Sequence, residues 1–397
     1  MLNYRMRRLS RGNSIAVSMT IIIYILYSLQ GVLYPSGSII SRMLMLLYLL
    51  LGLVHIIAIL LKTRYNTVMA TGCLYVLLNL VYYIFNIGDN TNLARTQIQG
   101  VLACFTPFFV AYYYSYKGKF LESTFSFLIP VLLVVYILSF YRMEVIMSQQ
   151  LNIESNIVNN VAYSFTRITP LLFYFNAKVI IATFILLIIN LFVIIGAKRG
   201  AAISALLGDL GYLVFVLKNL GKARRFKKII IIAALVGFVY GLTYLLQSYT
   251  FLLSRFIEDG ASNRDEIYMS IWDWWTATNV NVIDFLFGGG IVYSANLTGG
   301  MLAHSDWLEV ISNFGLTGLI IYAVFIGALI YSILRFKANK DKLAALVVIA
   351  MWLATSLTST WYNTADNFAS MMLIGFLLGK YNIQNRSTIL NLNKFTN

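Results

Sequence analysis

Long apolar runs broken by short polar stretches fill most of the chain. A helix of about 20 residues spans the hydrocarbon core of a bilayer. Twelve runs fit that length, at 14–33, 39–61, 66–87, 98–116, 122–141, 158–176, 179–197, 200–218, 229–247, 308–334, 343–360 and 366–380. The sixth is the least regular, because it contains Arg167 and Pro170. The interval from Ser248 to Glu309 is the longest without a convincing span, and a large polar loop among membrane helices is a natural place for recognition or chemistry. The pattern predicts an all-α polytopic integral membrane protein forming a single membrane domain over 1–397. A large external loop, 248–307, separates the ninth and tenth helices, and a short, disordered cytoplasmic tail occupies 381–397.

Composition sharpens this reading. The chain is 59% hydrophobic and only 11% charged, against about 25% charged in soluble domains. The first run, 14–33, lacks a small-residue cleavage site and reads as a span rather than a leader. A net charge of +15 raises nucleic acid as a partner, but the basic residues sit in short breaks between spans. Alternate breaks, counted from the N-terminus, hold 22 of the 30 Lys and Arg residues, including Arg5, Lys62, Lys117, Lys222, Lys340 and Lys380. That bias places both termini in the cytoplasm and 248–307 outside, and leaves no basic soluble domain for nucleic acid. Cys73 and Cys104 fall inside apolar runs as small core residues. With His55 and His304 far apart and no paired-ligand spacing, no metal site and no cofactor are expected.

Several polar residues run against the membrane pattern. Lys198 and Arg199, in IIGAKRGAAIS, fall on an external turn at a helix start, where the positive-inside rule and the helix dipole both disfavour cations. They either snorkel to the headgroups or face an anion, for which helix N–H groups and a guanidinium form a phosphate site. Arg264 has a similar setting in ASNRDEIYMSIWDWW, with Asn263 as cap and Glu266 as capping-box partner. Ile267, Ile271 and Trp275 recur every four residues, so this helix should lie along the outer interface with its tryptophans at headgroup level. Its arginine is either an ordinary surface residue or a ligand donor. His304 precedes a helix that Ser305 can cap; an imidazole there is either a structural hydrogen bonder or a general base. His55, inside the second span, reads as structural. The turn Gly288-Gly289-Gly290 lets the backbone bend and approach a ligand, without the lysine of a nucleotide P-loop. Asp209, in mid-span, either pairs with an arginine of a neighbouring helix or marks an ion pathway.

Three patches together resemble the bacterial O-antigen ligase and polymerase superfamily, in particular its Wzy-type polymerases of O-antigen or capsule repeat units. They are AKRGA at 197–201, SNRDEIYMSIW at 262–272, and the run from Gly288 through AHSDWLEVISNFGLTG to Gly318. Ser305 stands where many relatives carry Asn after the histidine. The resemblance implies a GT-C-like, all-helical membrane glycosyltransferase in the bacterial inner membrane. Its partners would be polyprenyl-pyrophosphate-linked glycans and membrane lipid, and the family allows a chain-length regulator protein. A glycan would pass from one polyprenyl pyrophosphate to a hydroxyl of a repeat unit on another, with no nucleotide sugar. Leaving pyrophosphate develops negative charge that fixed guanidiniums can stabilise. Arg199 and Arg264, with Lys198, are the pyrophosphate-binding candidates; His304 is the candidate base, with Glu258 or Asp259 as fallback. A ligase that moves the finished glycan to lipid A core or to a protein shares these motifs. A lipid-linked oligosaccharide flippase or other transporter is the reading from a different class, carried mainly by Asp209.

The orientation has a direct test. In intact cells, an impermeant thiol reagent should label a cysteine introduced beside Asn263 and not one beside Lys222. The reverse pattern would invert the topology.

Overall fold

The computed structural model describes residues 13–33, 38–63, 66–85, 91–148, 159–175, 179–196, 198–219, 264–278, 280–337 and 339–395, with fragments of 229–241. These residues are helical, and none forms a strand. The helices are α1 (Ile15–Leu33), α2 (Ile39–Lys62), α3 (Thr67–Phe85), α4 (Thr91–Tyr116) and α5 (Ser123–Ser148). After them come α6 (Ala162–Thr166), α7 (Val179–Ile195), α8 (Arg199–Asn219), α9 (Arg264–Thr276) and α10 (Val282–Phe287). The chain ends with α11 (Tyr293–Leu297), α12 (Asp306–Leu334), α13 (Asn339–Thr358) and α14 (Phe368–Phe395). Seven of them, α1, α2, α3, α5, α8, α12 and α13, are long and apolar enough to cross a membrane. Their outward faces carry large apolar side chains such as Leu46, Phe127 and Ile320, as expected of surfaces solvated by lipid.

The interior is the α4–α14 pair. Val101–Tyr112 and Phe368–Gly379 are buried at every position. Two glycines one turn apart on α14 let the backbones touch: a Cβ on Gly375 would lie 2.2 Å from the Phe108 carbonyl oxygen, and one on Gly379 2.5 Å from that of Tyr112. This is the small-xxx-small packing that holds membrane helices together where lipid removes the hydrophobic driving force. The Ser115 hydroxyl adds a bond to the Phe376 carbonyl at 2.7 Å.

One expected span is corrected. Segment 158–176 is not a continuous membrane helix. Five residues of α6 lead into a 3₁₀ helix, Thr169–Tyr174, with Pro170 at its start. Proline removes an N–H and disfavours helix in the residue before it. The segment still runs the depth of the bundle: Asn159 N–H reaches the Gly196 carbonyl at 3.0 Å, and the Tyr174 hydroxyl reaches Asp341 at 2.7 Å. Between them, Arg167 is 2% exposed. Its guanidinium donates to Thr355 Oγ1 at 3.2 Å and lies 3.7 Å from the Trp361 ring centroid. Buried charge needs such partners, and stacking on indole is the strongest cation–π pairing.

The tail expected to be disordered after Lys380 is instead helical, because α14 continues to Phe395. At this end of the bundle Glu122 binds Lys340 at 2.5 Å and Lys380 at 3.2 Å, and Lys380 also meets Asp341 at 2.9 Å. The ninth expected span, 229–247, lies almost wholly outside the described residues.

The helix crossing can be broken with one methyl group. Gly375→Ala should lower stability by about 1–3 kcal/mol through overpacking, seen as a lower unfolding temperature in detergent. Gly327→Ala, where a Cβ meets open space, should leave that temperature unchanged or raised.

Candidate functional site

At the end of the bundle opposite Glu122, α8, α9 and α12 begin where α13 stops. The last carbonyls of a helix have no partner within it. In α13, three of them receive side-chain donors from other elements. The Ser305 hydroxyl donates to the Ser356 carbonyl at 3.1 Å, the Tyr268 hydroxyl to that of Leu357 at 3.2 Å, and Arg264 Nη1 to that of Thr358 at 3.1 Å. A cation at a helix C-terminus is also favoured by the dipole. The start of α8 joins the same cluster, since Gly200 packs against the Tyr163 hydroxyl and Thr358.

His304 sits in the turn before α12 with φ of +51°, a left-handed conformation uncommon for a residue with a side chain. Both neighbours are fixed. The Ala303 N–H donates to Glu309 Oε1 at 2.6 Å, and the Ser305 carbonyl accepts from the Glu309 N–H at 2.9 Å. Ser305 is the N-cap by position, as expected, but its hydroxyl is spent on α13 and not on its own helix. The imidazole itself is exposed. Surrounding protein nevertheless pushes its pKa below the ordinary value, first through desolvation and then through repulsion by Arg264 and Lys198. A neutral imidazole able to accept a proton is therefore maintained below the usual imidazole range.

The glycine turn brings its backbone close to α12. Gly289 and Gly290 donate to the carbonyls of Ser312 and Asn313 at 2.9 and 3.1 Å. Gly288, with φ of +75°, lies against Gly315, where α12 itself is kinked at φ of +59°. The close approach expected of this turn is thus made to a helix. It also carries α11 into place, where Ser294 donates to Glu309 Oε2 at 2.9 Å.

Of the residues singled out in the sequence, Lys198, Arg264 and His304 come together. Arg199 opens α8 at the same end and is exposed. Glu258 and Asp259 lie outside the described residues, as does the Asn263 cap. Asp209 takes a neutral partner in place of an arginine, accepting from Asn190 at 2.9 Å. His55 bonds the Leu51 carbonyl through Nδ1, a structural role. Missed altogether were Tyr163, Tyr268, Asp306 and Glu309. Tyr268 stands one turn after Arg264, the only spacing signal that could have drawn it in.

The arrangement gathers three helix N-termini, each with partial positive charge, around cationic side chains and an imidazole. Chemically it can hold a compact, multiply charged anion and take up a proton beside it. Compared with known proteins, the chain matches no family model and no curated sequence. Fold and site together define an all-helical protein with membrane-length helices and one polar, cation-lined end.

Proposed function

We propose that this protein is a membrane glycosyltransferase that polymerises oligosaccharide repeat units carried on polyprenyl pyrophosphate. The cation-lined end would lie at the outer face of the bacterial cytoplasmic membrane, with both termini inside. That orientation follows from the basic residues Lys117, Lys119, Lys340 and Lys380 at the opposite end. The observation that carries the reading is geometric: Arg264 and Ser305, the residue after His304, both bond carbonyls of the last turn of α13, so a guanidinium and an imidazole share one end of the bundle.

In this reaction the acceptor hydroxyl attacks the anomeric carbon of the donor glycan. Its oxygen forms the new glycosidic bond, and the bond from that carbon to pyrophosphate breaks. The hydroxyl proton passes to His304. The electron pair leaves with the polyprenyl pyrophosphate, whose growing charge Arg264, Arg199 and Lys198 meet at the helix N-termini. Side chains already held in place cost no reorganisation as that charge appears, and Arg264 is held by its bond to Thr358. A ligase using a different acceptor would need the same centre. A transporter is less favoured, because Asp209 takes an amide and not an arginine as its partner.

Arginine geometry can be tested by replacement. Arg199→Lys and Arg264→Lys keep the charge but lose the planar fork that binds phosphate through two bonds. Each should lose most of its polymer-forming activity on purified lipid-linked repeat units while still inserting and expressing. Near-normal polymer from both would remove them from the centre.

The base has its own signature. His304→Ala should bind substrate yet lose turnover by about a hundredfold or more. In the wild type the rate should stay level through neutrality and fall only below the ordinary imidazole value, because the folded-state pKa is lowered. A fully active His304→Ala variant would sink this role.

A further inference from the structure

Asp306 and Glu309 occupy the first turn of α12, and both are completely buried. Acids in a first turn usually face solvent and the helix dipole. These two face inward and are fully engaged. Asp306 accepts from the Tyr322 hydroxyl at 2.6 Å and from the Trp361 N–H at 2.7 Å, which ties the turn before α14 to α12. Glu309 Oε1 accepts from the Ala303 N–H at 2.6 Å, and its Oε2 from the Ser294 hydroxyl at 2.9 Å and, at 3.5 Å, from Asn313 Nδ2. Ala303 directly precedes His304, whose left-handed backbone costs energy unless its surroundings impose it.

We propose that Glu309 is the positioning residue for His304: by taking the Ala303 amide proton it fixes the left-handed turn that aims the imidazole into the cation-lined end. This rests on the reading of that end as a glycosyl-transfer centre. What Glu309 supplies is an acceptor at one point in space, not a charge. Glutamine can do the same, because its carbonyl oxygen can accept from Ala303 and its amide can donate to Ser294. Aspartate keeps the charge but withdraws the acceptor by about one carbon–carbon bond, roughly 1.5 Å. Methionine keeps the volume and removes the acceptor. The charged groups acting on His304 are Arg264 from α9 and Lys198 before α8, and the Tyr268 hydroxyl reaches the His304 carbonyl at 3.5 Å; Asp306 and Glu309 face inward, and the end of α13 offers only neutral groups.

The experiment follows both polymer formation and His304 itself. With only two histidines in the chain, ¹⁵N-histidine labelling gives two imidazole signals, and His304→Ala identifies which is which. In Glu309→Gln, the His304 titration midpoint should match the wild type and turnover should stay within about twofold. In Glu309→Asp and Glu309→Met the midpoint should move toward the ordinary imidazole value. The turnover number should then fall by about tenfold to a hundredfold with KM little changed, the scale of an ångström of misplacement. Full activity with an unmoved His304 signal in Asp or Met overturns the proposal. So does a Gln variant as impaired as Asp, since charge and not placement would then be what matters. If neither Asp nor Met folds, Glu309 is a residue of the fold alone and the proposal falls. If the wild type makes no polymer, the glycosyl-transfer reading fails while the imidazole titration still decides whether Glu309 sets His304.

Discussion

The last turn of α13 ends with carbonyls that its own helix cannot satisfy, and everything at the cation-lined end is organised by how they are satisfied. Ser305, Tyr268 and Arg264 each take one, and they come from two different parts of the chain. A helix cannot pair its own last carbonyls, so these bonds fix α9 and the start of α12 against α13 together. The positions of His304 and of the cations follow from that. The glycine turn and the two buried acids act one layer deeper, by setting where α12 starts and bends.

Such a gathering is electrostatically unfavourable by itself. Lys198 and Arg264 both repel a proton from His304, and three helix N-termini add positive potential.

Much of this was legible in the sequence because membrane chains are so constrained. Against an apolar background, Lys198 and Arg199 stood out as basic residues on an external turn, and Arg264 and His304 as residues at helix starts; in the structure the charges of Lys198 and Arg264 reach His304. The start of α9 near Arg264 and the N-cap position of Ser305 were readable from local chemistry. Asp306 and Glu309 were not, since acids in a first helical turn look like ordinary dipole partners until the turn is seen to be buried. The glycine run was legible as a close backbone approach, but the partner of Gly288, the Gly315 kink of α12, lies 27 residues away in the chain. Arg167 and Pro170 marked the sixth segment as unusual, yet hydropathy has no means of proposing a half-α, half-3₁₀ crossing.

That crossing has a consequence for how the protein is made. Thr355, which bonds Arg167, lies 188 residues further along the chain, and Trp361 comes later still. A short, broken segment with a central arginine cannot settle in lipid as an independent helix. Its partners are supplied only by the C-terminal part of the chain, so a protein cut short before Trp361 would leave the Arg167 guanidinium without the ring on which it stacks.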